Sequence, residues 1–579
     1  VVYLKVKQDP ERLCVHLGNF DRRADFNDAL TRLKQSTANI TGRRYNGETK
    51  DWEFPCDGET ALRLMTILEP QVDAAVKNLI QAHQAEAAEA LVTKGPEDAR
   101  LELDVLNDIL FPYQRAYVAW AMEHPHNLLA DEMGIGKTVQ AIAAVHERGH
   151  RVGGRGISLV VAPNGLRRNY RDTIVHGPRD QFGQPIYPYW PGESATILNG
   201  ASLPLREKQL AECRDRWVIT NWEKLRSDWK VLRKVEWSSV VSSEAHRAKN
   251  KDAQQTKALW KLNAPLMIAE TGTPIMNSPG ELWSILRWLF PDVYAQHQAG
   301  GGYWPFHYKY VDDYASGRGR VMRGVKNADH LRFELADKMI RRTKKQVLPD
   351  LPAKLPPAWV EVDFTKDEAK LYEEAETALF LSVRQYVADQ PEEEREALIE
   401  ELANLPLDRL ERAIPNGGAR IALLRQVTAG AKARAAVELI RENPSAPVVT
   451  FTWFVDPARW IADQLSRDKL RVGIIAGQGG DATSIANAFQ EGETDQIVCT
   501  IAKGGVGLDL FRAHHAIFAD RDWVPAINDQ ALDRLHRQGQ KSDVSSTILY
   551  VPDTVDDGKV APAERFKRAI VTEILGTDG

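Results

Sequence analysis

The chain has 579 residues, 43% of them hydrophobic and 27% charged, values ordinary for a soluble globular protein. That length is too great for one core and implies about three or four domains at roughly 150 residues each. The net charge of −5 excludes a global polycation, so any nucleic-acid contact has to come from local basic grooves. A signal peptide is not expected, and the sequence has no apolar run of membrane-spanning length. Cys14, Cys56, Cys213 and Cys499 form no CxxC pair, which argues against a zinc ribbon or disulfide framework and for free thiols in a reducing compartment. The chain begins at Val1, so one or more preceding residues are expected.

Residues 1–70 read as a small mixed domain. Val2–Val6 and Leu13–Leu17 alternate like strands, and Asp25–Leu33 has a helical pattern. Asn46-Gly47 between strand-like flanks predicts a tight hairpin. Residues 71–105, rich in Ala and Glu, read as a helical connector broken at Gly95-Pro96. From 106 short apolar runs alternate with helical patterns, as at Ile157–Ala162, Trp217–Thr220, Val240-Val241 and Leu266–Ala269. That alternation predicts a parallel sheet covered by helices, a first α/β lobe over 106–355. Residues 356–430 read as helical insertion and linker, with an acidic run at Pro391–Glu396 expected to be a solvated face. A second α/β lobe over 431–579 follows from Val448–Phe451, Arg471–Ile475, Gln496–Thr500, Ala516–Asp520 and Ser546–Val551. The predicted fold class is α/β: two parallel-sheet lobes with helical insertions and a small α+β accessory domain.

Asp131-Glu132-Met133-Gly134-Ile135-Gly136-Lys137-Thr138 lies between a short apolar run and an apolar helical pattern. Strand, glycine loop and helix together cradle phosphates with backbone N–H groups and a helix N-terminus. Lys137 would reach the β and γ phosphates and Thr138 would sit on Mg²⁺, with Gly134 and Gly136 shaping the loop. The strict pattern has Gly where Asp131 stands. In the second lobe Arg534 and Arg537 are three apart, on one face if helical, and would act as arginine fingers across a cleft.

On these residues the chain resembles the Swi/Snf family of superfamily 2 helicase-like ATPases. Phe111-Pro112-Tyr113-Gln114 looks like the family's adenine-reading motif, with Gln114 offering its amide to the base. Leu159–Pro163 resembles a motif touching the nucleic-acid backbone, which implicates Ala162 and Pro163. Ser243-Glu244-Ala245-His246 sits where the family has Asp-Glu-Ala-His, and Thr271-Gly272-Thr273-Pro274 matches the coupling motif. Met339–Lys345 with Leu351–Lys354, Gly504–Leu508 and Gln530–Gln540 complete the set in the family's order. The resemblance implies that both lobes are RecA-like, that ATP and Mg²⁺ are the cofactors, and that Lys137, Glu244, Arg534 and Arg537 are catalytic. It further implies that Gly507 contributes to the ATP site, that His246, Thr271 and Thr273 couple nucleotide to DNA, and that Gly504 and Gly505 bind DNA. Arg341, Arg342, Lys344 and Lys345 are expected to bridge near the cleft, Trp453, Phe454 and Trp523 to pack, and Asp509 receives no role. Arg44–Phe54 resembles the HARP module of the annealing-helicase branch, and Tyr308–Tyr314, Gly324–Asn327 and Thr554–Asp557 look like that branch too. Residues 1–50 hold ten Lys/Arg against six Asp/Glu, which permits a DNA-facing surface without demanding one.

Ser243 is the departure: the family's Asp there holds Mg²⁺, and a neutral hydroxyl is a poorer partner for a hard cation. Three readings stay open: a natural variant with weak Mg²⁺ affinity, an inactivation that spares binding, or compensation by a nearby carboxylate such as Glu270. The implied activity is ATP-dependent translocation on double-stranded DNA, with forked or branched DNA as the favoured partner. The alternatives are an ATP-responsive DNA-binding scaffold and a strand-separating helicase or nuclease motor. A membrane partner is not expected. The compact chain suits a bacterial or viral source and the cytoplasm, or the nucleus in a eukaryote.

Overall fold

The computed structural model describes residues 2–8, 11–17, 44–46, 49–56, 71–72, 102–103, 110–153, 156–177, 193–295, 302–316, 319–389, 417–477, 481–504 and 508–575, with Leu30, Leu33, Ala61, Leu64 and Val76 as single positions. Nearly all of the expected connector 71–105, most of the expected helix Asp25–Leu33 and the acidic run Pro391–Glu396 lie outside the described residues.

The N-terminal sheet comprises β1 (Val2–Gln8), β2 (Glu11–Leu17), β3 (Arg44–Asn46), β4 (Asp51–Pro55) and β5 (Gln71–Val72), in the order β3-β4-β2-β1-β5. Since β5 pairs in parallel with β1, this unit runs past the expected boundary at residue 70. Leu4, Leu13, Val15 and Phe54 bury one face together with Leu33, Leu64 and Phe333, a residue of the first lobe. The hairpin expected at Asn46-Gly47 forms, with β3 and β4 paired antiparallel. Asn46 pairs with Asp51, so four residues connect the strands, and Lys50 takes the left-handed conformation at φ 59°.

The first lobe is built on β6 (His126–Leu129), β7 (Ser158–Ala162), β8 (Ala195–Ile197), β9 (Trp217–Asn221), β10 (Ser239–Ser243) and β11 (Leu266–Glu270). A hairpin of β12 (Val311–Ser316) and β13 (Gly319–Val325) follows, then β14 (Met339–Ile340). Among the described residues the lobe sheet is wholly parallel in the order β14-β6-β11-β10-β7-β9-β8. Alternate residues feed separate cores on its two faces. Leu128, Val161, Val240 and Met267 enter one, Leu129, Val160, Val241 and Ile268 the other. Burial on both faces explains why these strands read as continuous apolar runs.

The second lobe repeats this plan with β15 (Ala358–Glu361), β16 (Val448–Thr452), β17 (Val472–Ile475), β18 (Gln496–Thr500), β19 (His515–Phe518) and β20 (Ser545–Tyr550), parallel in the order β15-β20-β19-β16-β18-β17. Its edge strand β15 lies inside the segment expected to be insertion and linker, before the helices Lys366–Ala388 and Gly417–Glu442, whose Tyr372, Ala375, Ile421 and Leu424 share a core. The last helix, Ala561–Leu575, does not stay with the second lobe as its position in the chain suggests. It returns to the first lobe, placing Ile570 and Ile574 in that core, and Arg332 Nε donates to the Ile574 carbonyl at 3.2 Å.

Candidate active site

β6 ends at Leu129 and the helix Lys137–Arg151 starts at Lys137, with Gly134 and Gly136 both at φ 86° between them. Only glycine adopts that conformation without strain, so the loop can turn its N–H groups inward at a helix N-terminus, where an anion is favoured. Lys137 Nζ donates to the carbonyls of Asp131 at 2.8 Å and Glu132 at 3.0 Å. Burial pulls its ammonium below the ordinary lysine range, opposed by Glu244, Asp131, Glu270 and Asp533. Thr138 follows, half-buried in the first helical turn. Gln114 lies against Gly136, and its amide already serves the chain: Oε1 accepts from the Phe111 N–H at 3.1 Å and Nε2 approaches the Ile135 carbonyl at 3.5 Å.

Asp131 has a structural use. Its carboxylate accepts from Arg342 Nη2 at 2.5 Å, from the Arg342 N–H at 2.9 Å and from Gln140 Nε2 at 3.2 Å, all buried. Arg342 also donates to the Tyr113 carbonyl at 2.5 Å. The loop is thereby tied to the segment that leaves β14 for the second lobe.

Just past the ends of β10 and β11, His246 gathers the expected coupling residues. Its Nδ1 lies 2.9 Å from Thr271 Oγ1, 3.4 Å from Thr273 Oγ1 and 3.3 Å from Glu244 Oε2. Glu244 has left-handed backbone angles, φ 51° and ψ 52°, an unfavourable conformation for a residue with a Cβ. Burial tends to raise its carboxyl, but His246, Lys137 and Arg534 outweigh that and hold it at about 2. Ser243 is buried at the end of β10, and its carbonyl accepts from Trp222 Nε1 at 3.1 Å. Its register partner on β11 is Glu270, also buried. Burial pushes the Glu270 carboxyl well up from the ordinary range, with Lys137 pulling it back. Glu270 Oε2 accepts no hydrogen bond among the described residues. A buried carboxyl oxygen and the hydroxyls of Thr138 and Ser243 are hard donors of the kind Mg²⁺ takes, so the chemistry of this donor set fits that ion.

The second lobe closes on the loop. A Cβ on Gly134 would lie 3.2 Å from Arg537 Cβ and 3.2 Å from Lys344 Cε. The helix Pro525–Leu532 ends before the two arginines, which therefore stand in turns rather than on one helical face. Arg534 is buried, and burial and Arg537 lower it to about 10 against the pull of Glu244 and Asp509, so it stays charged at neutral pH. Arg537 pairs with Asp509, the residue to which the sequence lent no role. Asp533 beside them accepts from Lys344 Nζ at 2.9 Å and Lys354 Nζ at 2.7 Å, and Lys344 Nζ also donates to the His536 carbonyl at 2.6 Å. Sequence reasoning missed Asp533 because its partners are 189 and 179 positions away.

The expected DNA contacts are less exposed than the motifs suggest. Ala162 and Pro163 are buried, and the exposed residues just beyond that strand end are Asn164, Gly165, Arg168 and Asn169. Gly504 faces inward too, since a Cβ there would lie 2.5 Å from Cys499 Sγ. Gly505 and Gly507 lie outside the described residues. Trp453, Phe454 and Trp523 surround Arg425, whose Cζ is 4.6 Å from the Trp453 ring and 5.0 Å from the Trp523 ring.

A profile of the SNF2-related domain matches residues 113–413, and the helicase conserved C-terminal domain matches 431–539. The chain belongs to the SNF2-related family. It is 27% identical over 478 residues to an uncharacterized ATP-dependent helicase of Mycoplasma pneumoniae, covering 80% of this chain and 42% of that protein. With the ISWI chromatin-remodeling complex ATPase ISW1 of Saccharomyces cerevisiae it shares 25% identity over 489 residues, 78% of this chain and 39% of the relative. The chain thus spans less than half the length of these curated relatives. The Sulfolobus solfataricus SWI2/SNF2 ATPase core in complex with dsDNA aligns at 24% identity with a TM-score of 0.37, over 80% of this chain and 93% of that one. Among the described residues no helix is long and apolar enough to cross a membrane.

Proposed function

We propose that this SNF2-related chain is a DNA-dependent ATPase that translocates along double-stranded DNA and acts on forked or branched DNA. The observation that carries the first part is the approach of Arg537 to Gly134, with Arg534 near enough to feel the charge of Glu244. ATP bound on the loop would have its β and γ phosphates beside Lys137, the N–H groups of the helix start beneath them, and both guanidiniums facing the transferred group. Mg²⁺, when bound, neutralises phosphate charge, and Thr138, Ser243 and Glu270 are the side chains that would hold it. Glu244, held at about 2, is anionic throughout the neutral range. A carboxylate so acidic accepts a proton poorly, so its better use is to orient the attacking water. His246 joins Glu244 to Thr271 and Thr273, so a change at the nucleotide is felt at the end of β11.

Cleft closure per ATP would move one lobe along the duplex, with phosphate contacts that carry little sequence information and weaken with salt. Arg168 and Asn164 are the exposed candidates on the first lobe. The forked-DNA assignment rests on the N-terminal unit, with its resemblance to the HARP module. Its β3–β4 hairpin presents Tyr45, 53% exposed, and Arg44 to solvent while Arg44 Nε donates to the buried Glu53 at 2.6 Å. A scaffold that binds ATP without turnover is the second reading, supported by the hydroxyl at Ser243.

Phosphate release with linear duplex, single-stranded and forked DNA separates these readings, paired with displacement of a third strand from a triplex. Stimulation by duplex, greater stimulation by forks and triplex displacement are expected. DNA binding without turnover would instead establish the scaffold, and displacement of one strand from a tailed duplex would establish an unwinding helicase.

A further inference from the structure

Glu270 ends β11, the strand between β6, which feeds the phosphate loop, and β10, which ends at Ser243. Ser243 and Glu270 are register partners on parallel strands, and such partners leave the same face of a sheet about 4.8 Å apart. Val241 and Ile268, two residues earlier, identify that face: both lie in the core covered by Ala141 and Ile142 of the helix that opens at Lys137. A Cβ on Gly272 would come within 3.3 Å of Lys137 Nζ, which puts the ammonium two residues beyond Glu270.

The other carboxylates around the loop are engaged. Asp131 holds Arg342, Glu132 accepts from the Lys344 N–H at 2.7 Å, and Glu244 Oε2, which likewise accepts no hydrogen bond among the described residues, has His246 Nδ1 as an ion-pair partner at 3.3 Å. Glu270, 2% exposed, has an oxygen that accepts nothing among the described residues. Leaving a carboxylate buried and partly unpaired is costly, so a residue of this kind needs a reason. We propose that Glu270 faces the divalent cation of the bound nucleotide and carries, one strand nearer the phosphate loop, the charge that Ser243 lacks. The pair amounts to a carboxylate moved from β10 to β11, which conserves the charge of the pocket. A cation bound mainly through phosphates needs only one or two protein carboxylates, so a single Glu together with the Thr138 hydroxyl suffices. This assignment rests on the nucleotide-site reading above.

The test is Mn²⁺ binding followed by electron paramagnetic resonance in the presence of ADP, together with ADP affinity in EDTA. It compares wild type, Glu270→Gln, Glu270→Leu, and Ser243→Asp combined with Glu270→Leu. The Leu variant removes the buried charge altogether and guards against a folding defect peculiar to Gln. The Glu270 variants are expected to weaken Mn²⁺ by roughly 10- to 100-fold while ADP affinity in EDTA stays within about threefold, and the double variant to recover most of the loss. Unchanged Mn²⁺ affinity in both single variants would overturn the proposal, as would an equal loss of ADP affinity in EDTA, which would make Glu270 only a counter-ion to Lys137. A wild-type chain that binds no ADP at all would sink the nucleotide-site reading itself, and is told apart by that control.

Discussion

Asp131 stands where glycine would complete the phosphate-loop pattern, and its carboxylate neutralises Arg342, 3% exposed, through two side-chain bonds and a backbone N–H. Asp131→Gly therefore restores a pattern and strands a buried cation. The expected cost is ~3–5 kcal/mol, the range for removing one partner of a buried pair, read as a lower midpoint in urea unfolding. A gain in stability would show that Arg342 is solvated by other means. The role proposed for Arg537 lies in the reaction instead. Arg537→Ala is expected to lower kcat for DNA-stimulated hydrolysis by ~10³-fold, with ATP binding by filter assay little changed. An equal loss of ATP affinity would mean that it holds the ground state and not the transferring phosphoryl group.

At the scale of the element, the helix Ala561–Leu575 decides how the lobes are joined. It lies last in the chain, yet Ile570 and Ile574 are 3% and 1% exposed in the core of the first lobe. Truncating one such side chain to Ala removes buried methylenes and leaves a cavity, a loss of about 2–5 kcal/mol. Ile574→Ala is thus expected to lower the Tm of the first lobe, followed through the fluorescence of its buried Trp217 and Trp222. A midpoint that falls only for the second lobe would contradict this contact. The N-terminal sheet is tied to the first lobe in a similar way by Phe333.

For the whole molecule, Asp533 is the clamp between lobes. Burial tends to raise its carboxyl, but Lys344 and Lys354 outweigh that and hold it well below the usual carboxylate range. A depressed folded-state pKa contributes stability above the ordinary aspartate range, and that contribution is lost as pH falls through and below it. Closure is therefore expected to be maximal at neutral pH and to loosen in acid. Asp533→Asn is expected to remove the acid-sensitive part, cost ~3–5 kcal/mol and raise the radius of gyration by small-angle scattering at pH 7. An unchanged radius with unchanged stability would show that the clamp is not what keeps the lobes together.

Both parallel sheets, the phosphate loop and the family could be read from the chain alone, because strands buried on two faces are written as apolar runs and because a glycine loop before a helix is a local pattern. The four-residue connection after Asn46 was not legible, since Asn-Gly is compatible with several loop lengths and pairing register chooses among them. The helical reading of Arg534 and Arg537 failed because a spacing of three is the same in a turn as in a helix. Ser243 could be seen as a departure, and Glu270 was one of three answers to it. What the sequence determined by itself is local: which segments form strands and helices, and which glycine loop joins a strand to a helix start. The tertiary structure alone decided which distant charges meet. Asp131 with Arg342 and Asp533 with Lys344 are each separated by too much chain for any spacing to encode, and only strand order and lobe closure bring them together.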